Sequence, residues 1–256
     1  MTRFDSDSDR FFVTGTDTGV GKTVLSLLLM QFLHARGLEA RYVKLIQTGC
    51  RTPDDLDSDA RFIHEHVSAI KGKDPGSSVV YCFQNPKAPW FAARDEGREI
   101  DIQAVREFVQ ERSTPGLPLI LEGAGGLFVP ITENLLTIDL IPLLEARPIL
   151  TARTGLGTIN HTLLSLEALK ARDIEPFGIV LIDGGEVATP KEMIRENIEA
   201  VERFSGIRVA GVIDKIEDLS RPPGECFQPL LKMFSDQRPG AQYPAKSMPW
   251  PAPSWD

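Results

Sequence analysis

A turn rich in glycine and threonine joins an apolar strand to an apolar helix near the start of the chain. Residues 12–23 read Phe-Val-Thr-Gly-Thr-Asp-Thr-Gly-Val-Gly-Lys-Thr. Backbone N–H groups of such a turn and of the following helix N-terminus converge on one concave space and bind phosphate oxygens. Lys22 would add a positive charge for the β- and γ-phosphates, and the Thr23 hydroxyl is the usual Mg²⁺ ligand. The pattern therefore predicts a P-loop that binds a nucleoside triphosphate.

This loop departs from the standard pattern, because its first glycine is Gly15 and not residue 16. It is similar to the deviant loop of the ParA and MinD ATPases, which reads KGGxGK[ST] and begins with a signature lysine. Asp17 stands at the position of that lysine, and Thr18 replaces the glycine after it. An acidic side chain cannot reach a partner's phosphates as the lysine does, which argues against a partitioning ATPase. The predicted nucleotide contacts in the loop are Thr16, Asp17, Gly19, Val20, Gly21, Lys22, Thr23 and Val24.

Two more charged residues stand at the ends of predicted strands. Glu122 follows the apolar run 117–121, and Lys44 lies near the end of the predicted strand 40–46. In P-loop proteins an acid at the sheet edge opposite the loop binds Mg²⁺ directly or through water. A lysine at a strand end beside the loop can point at the transferred phosphoryl group. We therefore expect Glu122 to contact metal and nucleotide, and Lys44 to be catalytic.

Strands and helices alternate along the chain, which predicts an α/β fold: a P-loop NTPase-like, mostly parallel sheet with helices on both faces, in a single domain. The domain should span residues 1–221. Eight prolines in residues 222–256 exclude a long helix and predict a tail packed on the surface. The predicted strands are 11–13, 40–46, 117–121, 147–152, 177–182 and 208–213, and the predicted helices are 23–36, 58–66, 102–111, 158–172 and 191–204.

Composition narrows the class of protein. The 256 residues are 42% hydrophobic and carry a net charge of −8, so nucleic acid is not an expected partner. Cys50, Cys82 and Cys226 form no CxxC motif and are typical of reduced thiols in a cytoplasmic protein. The acidic N-terminus does not read as a signal peptide, and no apolar run approaches the 18 or so residues of a membrane span.

Four segments resemble the dethiobiotin synthetase family, the ATP-dependent ligases of biotin synthesis. They are the P-loop, residues 121–126 (Leu-Glu-Gly-Ala-Gly-Gly), residues 155–164, and residues 44–49, where only Leu45 departs from Lys-Pro-x-x-[Ser/Thr]-Gly. The resemblance covers roughly residues 11–214. It implies that MgATP and CO₂ convert 7,8-diaminononanoate into dethiobiotin through a carbamate and a carbamic–phosphoric anhydride. It also implies a homodimer with the substrate site at the interface.

The resemblance extends to individual residues. Lys22 and Lys44 would neutralise the phosphoryl group and the carbamate, and Thr18 would hydrogen-bond the carbamate. Asp59 matches the aspartate of the family's Ser-Asp-Ala signature, which selects it from several neighbouring acids. The implied Mg²⁺ ligands are Thr23, Asp59 and Glu122, and the implied substrate contacts are Thr48, Gly125, Gly126, Gly157, Thr158 and Asn160. The turn at residues 154–161 would act from the second subunit.

Two departures bear on specificity. Trp90 replaces a histidine in a segment that opens a helix near the diamine, which is either a harmless aromatic swap or a reshaped pocket. Ile182 and Asp183 replace the asparagine that fits the N6/N1 edge of adenine. An ionised Asp183 can only accept hydrogen bonds, so it would suit the paired donors of guanine or a single amine of cytosine or adenine. We therefore expect relaxed or altered base selectivity, with Asp183 as a nucleotide contact.

Three other functions remain open from the sequence. One is a nucleotide-switched regulatory ATPase of the ParA/MinD type, against which Asp17 counts. Another is a related ATP-dependent ligase that acts on a different amine or acid. The last is a degenerate homologue without activity, for which Leu45, Trp90 and Ile182 are the motivation.

Overall fold

A computed structural model describes residues 9–235 of the chain. Its seven strands form one sheet in the order β3-β2-β4-β1-β5-β6-β7, and all neighbouring pairs are parallel. The central strand β1 therefore delivers the P-loop to the middle of one sheet edge. The strands are β1 (Arg10–Gly15), β2 (Arg41–Thr48), β3 (Val79–Phe83), β4 (Leu119–Gly126), β5 (Arg147–Arg153), β6 (Gly178–Ile182) and β7 (Val209–Ile213).

Helices cover both faces of this sheet. Phe11 and Val13 belong to one buried cluster and Phe12 to the other, because successive side chains of a strand point to opposite faces. Helices on both faces of a parallel sheet confirm the predicted α/β architecture. No helix within residues 9–235 is long and apolar enough to cross a membrane. The helices are α1 (Lys22–Ala35), α2 (Asp59–His66), α3 (Pro89–Asp95), α4 (Ile102–Arg112), α5 (Thr137–Leu143), α6 (Thr158–Lys170), α7 (Lys191–Ser205) and α8 (Gln228–Ser235).

The structure adds elements to the predicted set and moves several boundaries. Strand β3 and helices α5 and α8 were not predicted. Strand β4 continues to Gly126, whereas the predicted strand stopped at residue 121, because its glycine-rich end still pairs with β1 through Gly15 and Gly126. Glu122 consequently lies within a strand and not in the turn after one.

The described part of the predicted tail packs against the sheet. A 3-10 turn at Gly224–Phe227 leads into α8, and Phe227, Leu230 and Met233 are buried in the same cluster as the leucines of α1. Residues 236–256, the larger part of the predicted tail, lie outside the described residues.

We expect Leu230→Ala to lower the free energy of unfolding by about 2–5 kcal/mol, because a fully buried leucine would leave a cavity. Leu56→Ala deletes the same atoms from a side chain that is 81% exposed. It should change the free energy of unfolding by less than about 0.5 kcal/mol. Urea unfolding followed by circular dichroism measures both. Equal effects of the two substitutions would contradict the place of α8 in the core.

Candidate active site

The loop between β1 and α1 borders a cleft of about 1200 Å³. Gly19 and Gly21 have positive φ angles of 70° and 88°, which a side chain would strain. A Cβ on Gly21 would also lie 2.6 Å from the Cδ1 atom of Ile182, so this position requires glycine. The predicted site residues that line the cleft are Thr18, Gly19, Val20, Gly21, Lys22, Thr23, Val24, Lys44, Thr48, Asp59, Glu122, Gly125 and Asp183.

A buried ion cluster lies at the β2–β4 end of the cleft. Lys44 and Glu122 are direct register partners on these neighbouring strands, and the Nζ atom of Lys44 is 2.8 Å from Oε1 of Glu122. The same ammonium is 2.6 Å from Oδ2 of Asp59. Tyr42 donates its hydroxyl to Oε2 of Glu122 at 3.0 Å. Both oxygens of a fully buried carboxylate are thus hydrogen-bonded, which offsets its desolvation.

Thr23 joins this cluster from the first turn of α1. Its Oγ1 atom lies 2.8 Å from Oδ1 of Asp59 and 3.0 Å from Oε1 of Glu122. The described residues hold no group of three or more His, Cys, Asp or Glu side chains suited to a metal ion. Mg²⁺ commonly takes only one or two carboxylates and completes its shell with water and phosphate oxygens. One hydroxyl and two carboxylates converging beside a P-loop therefore fit that ion.

Burial and neighbouring charges set the protonation of the cluster. Burial lowers the pKa of Lys22 to about 8, and the positive charge of Lys44 contributes. Burial also disfavours the charged form of Lys44, but Glu122 and Asp59 outweigh it and raise the pKa of Lys44. Burial acts to raise the pKa of Asp59, but Lys44 overcomes it and the net shift is downward. Lys44 and Asp59 are therefore charged at neutral pH, and Lys22 is the cation that loses its proton most easily.

Asp183 lines the opposite end of the cleft, beside β5 and β6, but its carboxylate is bound to the protein. Its Oδ1 atom accepts hydrogen bonds from the Thr154 hydroxyl at 2.7 Å and from the Thr189 hydroxyl at 3.1 Å. Its Oδ2 atom accepts from the backbone N–H of Thr189 at 3.2 Å. Asn197 donates to the carbonyl of Thr154 at 2.8 Å and so stabilises the position of this partner of Asp183. Little acceptor capacity is left for a nucleotide base, and the predicted contact of Asp183 with the base stays a prediction.

The turn before α6 borders the cleft only at its first residues, Thr154 and Gly155, and its later residues do not line it. Gly157 has a φ of 89° and precedes Thr158, whose hydroxyl donates to the carbonyl of Arg153 at 2.6 Å. Asn160 is exposed, and Leu156 beside it is 91% exposed. Within one chain, the predicted substrate contacts therefore divide: Thr48 and Gly125 line the cleft, and Gly126, Gly157, Thr158 and Asn160 do not.

Thr16, Asp17 and Trp90 also lie outside the lining of the cleft. Thr16 donates its backbone N–H to the carbonyl of Thr151 at 2.9 Å, and Asp17 accepts the ammonium of Lys22 on its own carbonyl at 2.9 Å. Trp90 stacks on Phe91 with ring centroids 4.8 Å apart. Thr16 and Asp17 thus stabilise the loop without lining the cleft. The effect of Trp90 on the substrate stays a prediction.

Sequence reasoning missed Tyr42, Gln47 and Arg153. Tyr42 lies two residues before Lys44, so both side chains face the same side of β2. This spacing could have identified Tyr42 from the sequence. Gln47 accepts the backbone N–H of Asp59 at 3.0 Å and fixes the start of α2. Arg153 lines the cleft and pairs with Asp17, and nothing local in the sequence pointed to that contact.

Comparisons with known proteins identify similar chains. A family profile described as an AAA domain matches residues 9–223. The ATP-dependent dethiobiotin synthetase BioD of Hydrogenobaculum sp. (strain Y04AAS1) is 42% identical over 173 residues, which cover 66% of this chain and 75% of that protein. The protein of the same name from Lysinibacillus sphaericus (strain C3-41) is 36% identical over 215 residues, which cover 82% and 88%.

Among solved structures, the MinC:MinD cell division protein complex of Aquifex aeolicus matches with a TM-score of 0.54 at 14% identity. That match covers 92% of this chain and 99% of the other. At this identity the likeness shows the fold alone, which agrees with the parallel sheet and its P-loop.

We expect binding of MgATP to take up close to one proton at about pH 9, because phosphate oxygens restore the pKa of Lys22 from about 8 toward its ordinary value. Below about pH 7 Lys22 is already charged and contributes no uptake. The affinity for MgATP should accordingly be constant below about pH 7 and fall as the pH rises through 8. Titration calorimetry in buffers of different ionisation enthalpy measures this uptake.

Lys22→Arg is the matched control, because a guanidinium keeps its proton throughout this pH range. Any binding that this variant retains should occur without proton uptake at about pH 9. Buffer-independent heats for the unaltered protein at that pH would rule out Lys22 as a titrating group.

Proposed function

The chain belongs to the ATP-dependent dethiobiotin synthetase family, and we propose that it catalyses the Mg²⁺- and ATP-dependent carboxylation and ring closure of 7,8-diaminononanoate with CO₂ to dethiobiotin. The observation that supports this most is the position of Lys44. Its ammonium lies between Asp59 and Glu122 in the same cleft as the P-loop lysine, Lys22. Two cations and two carboxylates beside a phosphate-binding loop suit the transfer of a phosphoryl group to a weak acid.

The reaction needs little covalent chemistry from the protein. One amine of the substrate adds to CO₂ and loses a proton, which gives a carbamate. A carbamate oxygen attacks the γ-phosphorus of ATP, and ADP leaves. The second amine attacks the carbonyl carbon of the mixed anhydride and loses a proton, and inorganic phosphate leaves as the cyclic urea closes. Catalysis therefore depends on placing the reactants and neutralising their charge.

Lys22 and Lys44 are the groups proposed to neutralise that charge. Lys22 would exchange the carbonyl of Asp17 for phosphate oxygens, and Lys44 is already charged and facing the cleft. Thr23, Asp59 and Glu122 would hold Mg²⁺, which when bound supplies positive charge to the phosphates. Thr18 lies beside Gly125, where a Cβ would be 3.6 Å from the Thr18 hydroxyl, and is proposed to donate that hydroxyl to the carbamate.

A second copy of the chain is proposed to complete the substrate site. Gly157, Thr158 and Asn160 lie at the start of α6 and outside their own cleft. Free N–H groups at a helix N-terminus favour a carboxylate, which this substrate carries. Leu156 and Leu164 are 91% and 61% exposed along the same turn and helix, which supports contact with a partner surface.

Phosphate release from MgATP and bicarbonate should depend on 7,8-diaminononanoate, with dethiobiotin detected by mass. Lys44→Ala should lower kcat by about 100-fold or more, because a preorganised charge facing the transferred group is lost. Lys71→Ala removes an exposed lysine outside the cleft and should leave kcat unchanged.

Thermal unfolding separates lost chemistry from lost folding, since Lys44→Ala leaves Asp59 and Glu122 without their shared cation. A folded Lys44→Ala variant that turns over like the unaltered protein would remove Lys44 from the mechanism. Phosphate release without any dependence on the diamine would overturn the proposed reaction.

We expect kcat/KM for GTP and CTP to lie within about tenfold of that for ATP, because one good bidentate contact to a base gives about 1–3 kcal/mol of discrimination and Asp183 has little capacity left for one. Initial rates of dethiobiotin formation with each nucleotide test this. A preference for ATP above about 100-fold would show that other groups read the base.

A further inference from the structure

The backbone of Arg153 lies beside the P-loop and is hydrogen-bonded there. This residue is the last one of β5, which pairs with β1 from Arg147 to Thr151 and with Ile182 of β6 at Arg153 itself. The backbone N–H of Thr16 donates to the carbonyl of Thr151 at 2.9 Å, and the Thr158 hydroxyl donates to the carbonyl of Arg153 at 2.6 Å. The Arg153 side chain therefore starts from a fixed backbone position, next to the first residues of the loop.

The Arg153 guanidinium is anchored at one end only. Its Nη2 atom lies 2.9 Å from Oδ2 of Asp17. The other carboxylate oxygen of Asp17 accepts the backbone N–H of Thr18 at 2.7 Å, so Asp17 is tied into its own loop. Within residues 9–235 the structure gives the guanidinium no second acceptor, although a guanidinium has five N–H donors.

The remaining donors lie where a polyphosphate would pass. Arg153 lines the cleft and Asp17 does not, so the guanidinium is the member of the pair that a ligand meets. Lys44, Asp59 and Glu122 stand at the β2–β4 end of the cleft, and Asp183 at the β5–β6 end. A nucleotide whose γ-phosphate faces Lys44 must run across the loop toward Asp183, and Arg153 stands on that path.

We propose that Arg153 is a second cationic ligand of the nucleotide, which binds the α- and β-phosphates and is held in position by Asp17. The inference rests on the proposed function only in its premise that the P-loop binds a nucleotide. A half-exposed ion pair adds little to stability, so the Arg153–Asp17 contact is better explained by positioning. Arginine binds phosphate through charge-assisted and often bidentate hydrogen bonds, which suits its unengaged donors.

Calorimetric titration of the full chain with MgADP tests this, because ADP contains only the α- and β-phosphates. Arg153→Ala should raise the Kd about tenfold or more, the scale of a lost hydrogen bond to a charged group. The Kd of Arg153→Lys should lie between those of the unaltered protein and of Arg153→Ala, because lysine keeps the charge and loses the planar guanidinium. Asp17→Asn should weaken binding by less than Arg153→Ala, because the guanidinium remains.

Arg195→Ala is the control, because Arg195 is an exposed arginine on α7 outside the cleft, and it should leave the Kd unchanged. Thermal unfolding of each variant identifies any that fails to fold. If Arg153→Ala does not fold, the Kd of Arg153→Lys tests the proposal in its place. An unchanged Kd for Arg153→Ala would overturn the proposal. Equal losses for Arg153→Ala and Asp17→Asn, with no further loss in the double variant, would also overturn it, because Arg153 would then act only through the loop.

The same preparation separates this inference from the proposed function. Dethiobiotin formation by the unaltered protein, with normal MgADP binding by Arg153→Ala, would reject the role of Arg153 alone. MgADP binding that depends on Arg153, without dethiobiotin formation, would support the nucleotide contact and reject the proposed reaction.

Discussion

The buried carboxylate of Glu122 constrains the rest of the site. A carboxylate without solvent exposure is costly unless it is paired and hydrogen-bonded. Lys44 and Tyr42 meet that requirement from β2, and the register that places Lys44 opposite Glu122 belongs to the sheet itself. A one-residue slip would turn these side chains to opposite faces. The strand pairing and the ion cluster thus depend on each other.

The cluster also prepares the cleft for added negative charge. Lys22 and Lys44 face Asp59 and Glu122, so two cations and two anions nearly cancel before any ligand arrives. Lys44 is locked by both carboxylates, whereas Lys22 is bound only to a backbone carbonyl and has a lowered pKa. Lys22 is therefore the cation that can move to a phosphate without leaving a carboxylate unpaired.

Local patterns in the sequence predicted the parts of the fold that local chemistry determines. Glycines and an apolar helix identified the P-loop, and alternation of strands and helices identified the parallel sheet. Strand β3 was not predicted, although its Val-Val-Tyr-Cys-Phe run is typical of a strand. Helix α5 was harder to find, because it has only seven residues and contains Pro142.

The contacts of the candidate site were less predictable than its members. Motif matches brought Asp59, Lys44 and Glu122 to one place, and the structure puts them within hydrogen-bond distance of one another through Lys44. The sequence showed Asp183 as a free acceptor, because Thr154 lies 29 residues earlier in the chain and the loop path brings Thr189 back onto the carboxylate. Long-range pairing of this kind depends on strand order and loop path, which no local pattern encodes.

The pairing of Asp17 bears on how two copies of this chain would cooperate. Asp17 stands where the ParA and MinD pattern KGGxGK[ST] has its signature lysine. Here the Asp17 carboxylate is bound by Arg153 of the same chain and by the next backbone N–H of its own loop. A side chain held twice within its own subunit is not available to a partner's nucleotide. In the proposed dimer, each subunit would therefore bind its triphosphate with its own cations. The partner subunit would contribute the α6 turn, which would bind the substrate's carboxylate.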